Sequence, residues 1–312
     1  MKRFVTIATL FLVVILGATS CDKYIFDDLK GCDRGVRLNL YSKTECATQR
    51  TYPSIQKWTF FAFDEEGLFV STRREEELKL DENLRYVYPI DSAGQYSIVA
   101  WGGDIDKLFS IKKPEVGVTK KSDLLLQLRL EAGRASDLNN KYIYVGETPM
   151  VTIGAKERFF VDSDINIREI TNRIIVEVKG LDNPKDVEIE LSANNAAYAY
   201  GGNIVPWQKL IYPTKQTYPK DSVTVAAYTT LKLESGRNSS LVIRSKKDNK
   251  EIFNEDLVGT ILLSPSSDNI NLRCLNDFTI VLKTKRCNCP GGFTITELWI
   301  NDWLIHSYDI GF

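Results

Sequence analysis

Apolar residues recur at every second position along much of this chain. The alternation is cleanest in Val187–Leu191, and it repeats in Val36–Leu40, Ser222–Val225 and Phe278–Lys283. A period of two puts the apolar side chains on one face of a strand, which is typical of antiparallel sheets with one buried face. The pattern therefore predicts an all-β fold and argues against a chain built from amphipathic helices.

Further short segments carry the same signature between turn residues. Such spacing favours β-sandwiches over strand–helix–strand units. These predicted strands are Trp58–Phe63, Gly67–Ser71, Arg85–Ile90, Gln95–Trp101, Leu124–Leu130, Tyr142–Val145, Arg173–Val178, Leu241–Ser245 and Thr294–Ile300. Two short helices are expected beside them. One is Asp104–Ile111, capped by Asp104, and the other is Asn254–Leu263, capped by Asn254 and stopped by Pro265.

The amino terminus has the three parts of a secretory signal. Met1-Lys2-Arg3 is basic, Phe4–Leu16 is almost wholly apolar, and small residues precede Cys21. The Cys after small residues resembles a bacterial lipobox, although Ala18 stands where Leu is commonest. We therefore expect residues 1–20 to be a signal peptide and Cys21 to carry the lipid. The alternative is an ordinary signal peptide with a chance Cys.

The remaining 292 residues suggest two domains. Residues 21–34 are expected to form a lipidated tether, which keeps the folded part within about 50 Å of the membrane. Turn residues near 147–165 favour a break there, with a new series of strands after Asp162-Ser163-Asp164. The expected domains are an N-terminal sandwich over 35–155 and a C-terminal sandwich over 156–312.

Composition excludes several functions. The 40 basic and 41 acidic residues nearly cancel, so no global field attracts nucleic acid. His306 is the single histidine, and no nucleophile–base pattern accompanies it. Paired acids such as Asp64-Glu65 are typical of solvated turns. We expect no enzymatic activity, no cofactor and no small-molecule substrate.

Five cysteines besides Cys21 are candidates for disulfides, because an exported chain permits them. An odd number leaves at least one thiol free or paired outside the chain, and sequence does not choose the pairing. The Cys-Asn-Cys pair could suggest a soft metal site, but it lacks the paired spacing of structural zinc sites. Disulfides or plain thiols are favoured and no metal is expected. The candidates are Cys32, Cys46, Cys274, Cys287 and Cys289.

The most specific signal lies in residues 58–103. Trp58–Val70 is a strand, an acidic turn ending in Gly67, and a second strand, and Ala93–Gly103 is a glycine turn, a strand and a Trp-Gly-Gly exit. This order resembles the FimB/Mfa2 family of fimbrial anchor lipoproteins of Bacteroidales. The lipobox, the motif Tyr142–Gly146 and the ending Ile300–Trp303 extend the resemblance over most of residues 21–312.

The resemblance implies two tandem transthyretin-like antiparallel β-sandwiches. It implies a lipid-anchored base subunit on the outer membrane, exposed at the cell surface, which holds a fimbria and limits its length. The implied partners are fimbrillin shaft subunits, joined by donation of a C-terminal strand, and the membrane itself through acyl chains on Cys21.

Physical chemistry favours one segment for strand donation, because alternate side chains of a donated strand fill pockets in the partner. That segment is Phe293–Ile305, near the chain end. The alternative is that it forms the last strand of the C-terminal sandwich, paired with Phe278–Lys283. The residues expected to contact the partner are Phe293, Ile295, Leu298, Trp299, Ile300, Trp303, Leu304 and Ile305.

Two other functions compete with the anchor. One is a shaft or tip fimbrillin. The other is a surface glycan-binding lipoprotein, in which aromatic rings near residues 198–218 would stack on sugars, although packing in loops and core is the favoured explanation for them. The candidate rings are Tyr198, Tyr200, Trp207, Tyr212 and Tyr218.

Overall fold

The computed structural model describes residues 34–155, 160–264 and 271–307. Strands dominate these residues and helices are few and short, which confirms the predicted all-β class. No helix in the described ranges is long and apolar enough to cross a membrane.

Elements are numbered in chain order. The strands are β1 Gly35–Tyr41, β2 Trp58–Asp64, β3 Phe69–Glu75, β4 Tyr86–Pro89, β5 Gly94–Gly102, β6 Phe109–Ile111, β7 Leu125–Leu128, β8 Leu130–Glu131, β9 Arg134–Ala135, β10 Tyr144–Glu147, β11 Val151–Ile153, β12 Phe160–Asn166, β13 Arg168–Glu169, β14 Thr171–Lys179, β15 Val187–Ala193, β16 Ala197–Ala199, β17 Ile204–Val205, β18 Leu210–Ile211, β19 Gln216–Lys220, β20 Val223–Leu231, β21 Ser240–Ser245, β22 Glu251–Asp256, β23 Asp277–Arg286, β24 Phe293–Ile300 and β25 Trp303–Ser307. The α-helices are α1 Ile105–Leu108, α2 Leu257–Leu262 and α3 Asn271–Cys274, and 3₁₀ turns cover Lys121–Asp123 and Pro184–Asp186.

Each segment predicted as a strand overlaps an observed strand, but both predicted helices are shorter than expected. Asn254 lies in β22, and helix α2 begins after Asp256, whose carboxylate accepts a hydrogen bond from the Gly259 N–H at 3.0 Å. Helix α1 stops at Leu108 because the next residues pair with β7 as strand β6. The Asp104 carboxylate does not cap α1; it lies 2.9 Å from Lys57 Nζ.

The N-terminal half is built from two sheets. The sheet β12–β1–β4 covers one face of the sheet β13–β10–β5–β2–β3, with β11 beside β5. Val36, Leu38 and Ile98 lie at the centre of the core between them and are fully buried. The apolar alternation along β1 therefore results from burial of one face of the strand, as predicted.

Strand β12 belongs with this half in space. It pairs in parallel with β1 along its whole length. The acidic segment expected before a new strand series lies within β12, because its carboxylates point outward: Asp162 pairs with Arg37, and Asp164 with Asn39 and Arg50. The division at 155 and 156 stays a prediction, as does the transthyretin-like detail.

The strands β2 and β5 are buried on both faces. Phe61 and Trp101 point away from β1, toward a four-stranded sheet of order β17–β16–β7–β6. That sheet combines strands from both halves of the chain. The Trp101 indole N–H donates to the Tyr200 carbonyl at 2.8 Å, and Tyr200 packs edge-on to Phe61 at 4.4 Å. The two halves therefore share a core.

The C-terminal half packs a six-stranded sheet, β19–β20–β14–β23–β24–β25, on a four-stranded sheet, β18–β15–β21–β22. Most neighbours are antiparallel, as predicted, but β14 and β23 run in parallel, as β1 and β12 do. Ile174, Leu191 and Ile280 are fully buried in this core. Strand β25 is one outer edge of the larger sheet as far as the described residues extend.

Candidate docking edge at the C-terminal hairpin

The segment predicted to be donated divides into two strands with different environments. Strand β24 pairs with β23 over its whole length, as the alternative for the isolated chain required. Ile295, Leu298 and Ile300 on β24 are buried in the core, and Phe293 packs against it. Removing β24 would expose all four side chains, so this strand is built into the sandwich.

Strand β25 is different because it lies at the sheet edge and its side chains are largely outside the core. Trp303 is 58% exposed and Leu304 is 47% exposed, while Ile305 is half-buried against the core. Within the described residues β25 pairs only with β24, so one row of its backbone groups has no strand partner. An edge of this kind can accept or supply a strand.

A two-residue turn joins the two strands. Asn301 and Asp302 both have positive φ, of 45° and 67°, which is the conformation of the tight turn preferred in β-hairpins. The Asn301 side-chain oxygen accepts a hydrogen bond from the Thr279 N–H at 2.8 Å, and the Asn301 N–H donates to the Thr279 carbonyl at 2.9 Å. The base of the hairpin is therefore tied to β23. Sequence reasoning missed this role, although an Asn-Asp pair between two apolar runs is a hairpin signal.

Long edge strands elsewhere in the described chain carry residues that discourage pairing. Charges and proline on an edge strand are the usual protection against adventitious sheet extension. Among the described edge strands of five residues or more, β25 alone has no Asp, Glu, Lys, Arg or Pro, and its single titratable residue is His306. The protecting residues are Asp162 and Asp164 on β12, Arg73 and Arg74 on β3, Pro219 and Lys220 on β19, and Glu251 and Glu255 on β22.

Charges beside β25 are satisfied by one another. Lys283 lies 2.8 Å from the Glu297 carboxylate and 5.0 Å from the centre of the Trp299 ring. The Trp299 indole N–H donates to Glu297 at 2.6 Å. The hydrogen bond from Lys283, followed by that from Trp299, holds the pKa of Glu297 below its usual value. The uncharged residues beside these groups are paired across β23, β24 and β25: Val281, Trp299 and Leu304.

The register places this edge far from the point where the chain enters the fold. Arg34 precedes β1, and its carbonyl accepts from the Ile90 N–H at 2.9 Å. Strand β1 runs from there to Tyr41, whose carbonyl accepts from the Ile167 N–H beside the start of the C-terminal half. Strand β14 runs away from this junction and ends at Lys179. Lys179 pairs with Lys283 on β23, which pairs with Glu297 on β24, which pairs with Ser307 on β25. Ser307 therefore lies at the same end of the sheet as the last residue of β14. Cys21 lies outside the described residues.

A disulfide crosses the junction between the two halves. Cys46, in the loop after β1, is bonded to Cys274 in α3, with their Cα atoms 5.9 Å apart. The neighbouring Arg273 lies 3.1 Å from the Glu45 carboxylate. Glu45 and Arg273 line a cleft of about 1110 Å³, which is also lined by Tyr198. The disulfide and the ion pair connect the loop after β1 with helix α3.

Lys232 is the most perturbed base in that cleft. Burial lowers its pKa to about 8, partly offset by Glu169. Its ammonium donates to the Asn276 side-chain oxygen at 2.7 Å, and the Asn276 amide donates to Glu169 at 3.1 Å. Glu169 also pairs with Arg173. These contacts join the residues that follow β20 to β13, β14 and the residues that precede β23. The cleft therefore lies where these packed elements meet.

The other cysteines give no metal site among the described residues. Cys287 and Cys289 are bonded to each other, and Cys32 lies outside the described ranges. No group of three His, Cys, Asp or Glu residues in the described part of the chain could hold a metal ion.

The predicted aromatic platform for sugars is not formed. Tyr198, Tyr200 and Tyr212 are buried in the shared core, so their faces cannot stack on a glycan. Burial also raises the pKa of the Tyr198 hydroxyl well above its usual value. Trp207 and Tyr218 are 39% and 38% exposed. Core packing, the alternative explanation, accounts for the three tyrosines.

Known proteins match this chain over most of its length. The model of the fimbrillin-A associated anchor proteins Mfa1 and Mfa2 matches residues 29–309. The minor fimbrium anchoring subunit Mfa2 of Porphyromonas gingivalis is 38% identical over 301 residues, which cover 94% of this chain and 92% of that protein.

Solved structures give the same answer. The structure of the fimbrial anchor protein Mfa2 from Porphyromonas gingivalis is 36% identical, with a TM-score of 0.81, and covers 89% of this chain and 100% of its own. A proposed adhesin from Bacteroides thetaiotaomicron, 22% identical with a TM-score of 0.72 over 90% of this chain and 100% of its own, shows the same fold. This chain belongs to the family of fimbrillin-A associated anchor proteins.

Proposed function

We propose that this protein is the lipid-anchored base subunit of a fimbria. Cys21 holds it in the outer membrane, and β25 engages the first fimbrillin of the shaft. In this role it attaches the fibre to the cell surface and limits its length.

The observation that supports this proposal best is the position and chemistry of β25. Its exposed side chains include Trp303 and Leu304, and the strand pairing puts it at the end of the C-terminal half that lies away from the junction with β1. A base subunit needs this arrangement, because one end must face the membrane and the other the fibre. Membership in the anchor family agrees with it.

The burial pattern narrows the donated element to β25 and the residues after it. Strand β24 fills the core of its own sandwich, whereas Trp303 and Leu304 are available to a partner groove. Main-chain hydrogen bonds would supply affinity along the edge, and these side chains would supply specificity. Asn301 would be the hinge about which β25 leaves β24.

The test is to replace Cys21 with Ala in the native host and to follow the fimbriae. The base-subunit function predicts fibres shed into the medium, longer than normal, and cells without fibres. Cys32→Ala is the matched control, since it changes a second tether cysteine without removing the lipid site. Fibres of normal length on the cells, with the protein lost from the membrane, would refute the proposal.

A second measurement separates a base subunit from a shaft or tip subunit. Shaft subunits of the resembled family lose their first strand to proteolysis, whereas a base subunit keeps it. Here β1 is the central strand of a three-stranded sheet. Mass spectrometry of the assembled protein should find β1 still attached; a mature chain starting after Tyr41 would indicate a shaft or tip subunit.

A further inference from the structure

A lysine, a side-chain amide and a carboxylate are in contact beside the cleft that Lys232 and Glu169 line. Lys232 Nζ donates to Asn276 Oδ1 at 2.7 Å, and Asn276 Nδ2 donates to the Glu169 carboxylate at 3.1 Å. The amide must point this way, because an ammonium only donates and a carboxylate only accepts. An amine next to an acyl group, with an acid–base group at the nitrogen of that acyl group, is an arrangement suited to acyl transfer.

The amine of Lys232 lies where its neutral form is favoured. Both of its acceptors are neutral groups, namely the amide oxygen and the Leu275 carbonyl at 3.3 Å. Burial lowers its pKa to about 8; Glu169 opposes this shift, whereas Arg173 and Arg168 act in the same direction as burial. The neutral amine is the nucleophilic form of a lysine. A large share of this side chain is therefore nucleophilic at mildly alkaline pH.

The amide oxygen has a second donor beside it. Asn172 is fully buried at the start of β14, and its side-chain oxygen accepts the Leu233 N–H at 2.8 Å. The Asn172 Nδ2 lies on the other side of that group, 3.5 Å from Asn276 Oδ1. The Asn276 backbone carbonyl accepts the Arg173 N–H at 2.7 Å, which fixes the residue against β14. An N–H placed beside an amide oxygen stabilises the negative charge that develops there during attack on the carbon.

Glu169 stands at the nitrogen that would leave. Its side chain is 11% exposed, and one carboxylate oxygen accepts the Thr171 hydroxyl at 2.6 Å and pairs with Arg173. The other oxygen faces the Asn276 amide. A carboxylate fixed in this way can take a proton from an attacking amine and pass it to the departing nitrogen.

We propose that Lys232 and Asn276 react with each other to form an intramolecular amide bond. The neutral amine attacks Asn276 Cγ, a bond forms between Nζ and Cγ, and the negative charge on Oδ1 is stabilised by Asn172. Glu169 accepts a proton from the attacking nitrogen and transfers it to Nδ2. The bond between Cγ and Nδ2 then breaks and ammonia leaves. One amide replaces another, so the step needs no oxidant, reductant or further reactant.

The bond would fasten the strand that carries the docking hairpin. Lys232 follows β20 and Asn276 precedes β23, and β14 lies between these two strands in the sheet. The two residues are 44 positions apart in sequence. A covalent link would therefore tie β23, to which β24 and β25 are attached, to β20 across the intervening strand. Tension on β25 would then be carried by this link as well as by hydrogen bonds.

The test is mass spectrometry of the full-length protein, purified and kept at pH 6 and then incubated at pH 9. Protein at pH 6 is the unlinked reference, because its amine is protonated; it is also the form in which Lys232 can titrate. After reduction, alkylation and digestion with trypsin, the product is a branched peptide that joins Lys232 to Asn276 and lacks one ammonia. Lys209→Met is the matched control, because the Lys209 amine also donates to a neutral acceptor, the Ser240 hydroxyl at 2.9 Å.

We expect the branched peptide to form at least about tenfold faster at pH 9 than at pH 6, because an amine with a pKa of about 8 is mostly neutral only at the higher pH. Lys209→Met should match wild type, Lys232→Met should give no branched peptide, and Glu169→Gln should form it at least about tenfold more slowly. Circular dichroism verifies that each variant is folded. A folded wild type without the branched peptide after incubation at pH 9 would overturn the proposal, and so would equal rates in wild type and Glu169→Gln.

Discussion

At the residue scale, the hairpin that carries the docking edge depends on Asn301. Positive φ favours Asn over other residues with a Cβ, because its short polar side chain tolerates the left-handed region. The same side chain accepts the Thr279 N–H, which would otherwise lack that partner. The backbone conformation and the hydrogen bond therefore both favour Asn at position 301.

Replacing Asn301 with Ala should lower the free energy of unfolding by about 2 kcal/mol, because the turn becomes strained and the Thr279 N–H loses its acceptor. Urea unfolding measures this as a lower midpoint with an unchanged slope. The control is Asn249→Ala, a turn residue with a φ of 56°, which should lose about 1 kcal/mol from strain alone. Equal losses in both variants would show that the hydrogen bond contributes nothing.

Lys232 adds a pH dependence at the same scale. Burial lowers its pKa from 10.5 to about 8. Between these values the unfolded chain binds more protons than the folded one, so the free energy of unfolding must rise with pH. Below pH 8 both states are protonated and this contribution is constant.

We expect the free energy of unfolding to increase between pH 8 and pH 10 in wild type, and this increase to be smaller in Lys232→Met. Subtracting the two urea-unfolding series removes the titration of other groups. The reason is that Met keeps the aliphatic packing of the side chain but has no charge to bury. Parallel curves across that range would mean that Lys232 has an ordinary pKa in the folded protein.

At the element scale, β24 and β25 have opposite roles although they are adjacent in sequence. Buried alternate residues hold β24 in the sheet. A bulge between Leu298 and Trp299 shifts the register of the pairing with β25 partway along the strand. An edge strand with few buried contacts is the element most easily separated from its sheet.

Placing a charge on β25 should block assembly without unfolding the protein. In Leu304→Lys the exposed side chain changes the free energy of unfolding by no more than about 0.5 kcal/mol, while fimbriae no longer co-purify with the protein because an edge charge opposes strand pairing. Tyr218→Lys, on the opposite edge of the same sheet, is the matched control and should retain the fimbriae. Co-purification with both variants at wild-type yield would exclude β25 as the docking edge.

At the scale of the whole molecule, the bond between Cys46 and Cys274 joins residues 228 positions apart. A cross-link that closes so long a loop removes much of the freedom of the unfolded chain, and the chain-entropy model gives about 5 kcal/mol. Tension applied between the tether and β25 would also bypass the enclosed residues, because the bond carries it across the junction.

The double variant Cys46→Ser/Cys274→Ser should therefore lose up to about 5 kcal/mol of unfolding free energy, measured by urea unfolding under oxidising conditions. Cys287→Ser/Cys289→Ser is the control. Its bond encloses a loop of 2 positions, so the loss should be about 1 kcal/mol. A larger loss in the control than in the long-range pair would contradict the account by chain entropy.

Much of this architecture was predictable from local patterns. Alternation at period two predicted where the strands lie, because the pattern depends only on which face of each strand is buried. The pattern could not show that β2 and β5 would be buried on both faces. That depends on Tyr200, which lies about a hundred residues later and fills the second face.

The sequence by itself determined the all-β class, the approximate positions of the strands and the family resemblance, because these depend on neighbours within a few residues. The tertiary structure decided which part of Phe293–Ile305 is core and which is edge, and which cysteines meet. Those outcomes depend on the register between strands that are distant in sequence. Local periodicity cannot encode that register, since every even shift of a strand leaves its apolar face unchanged.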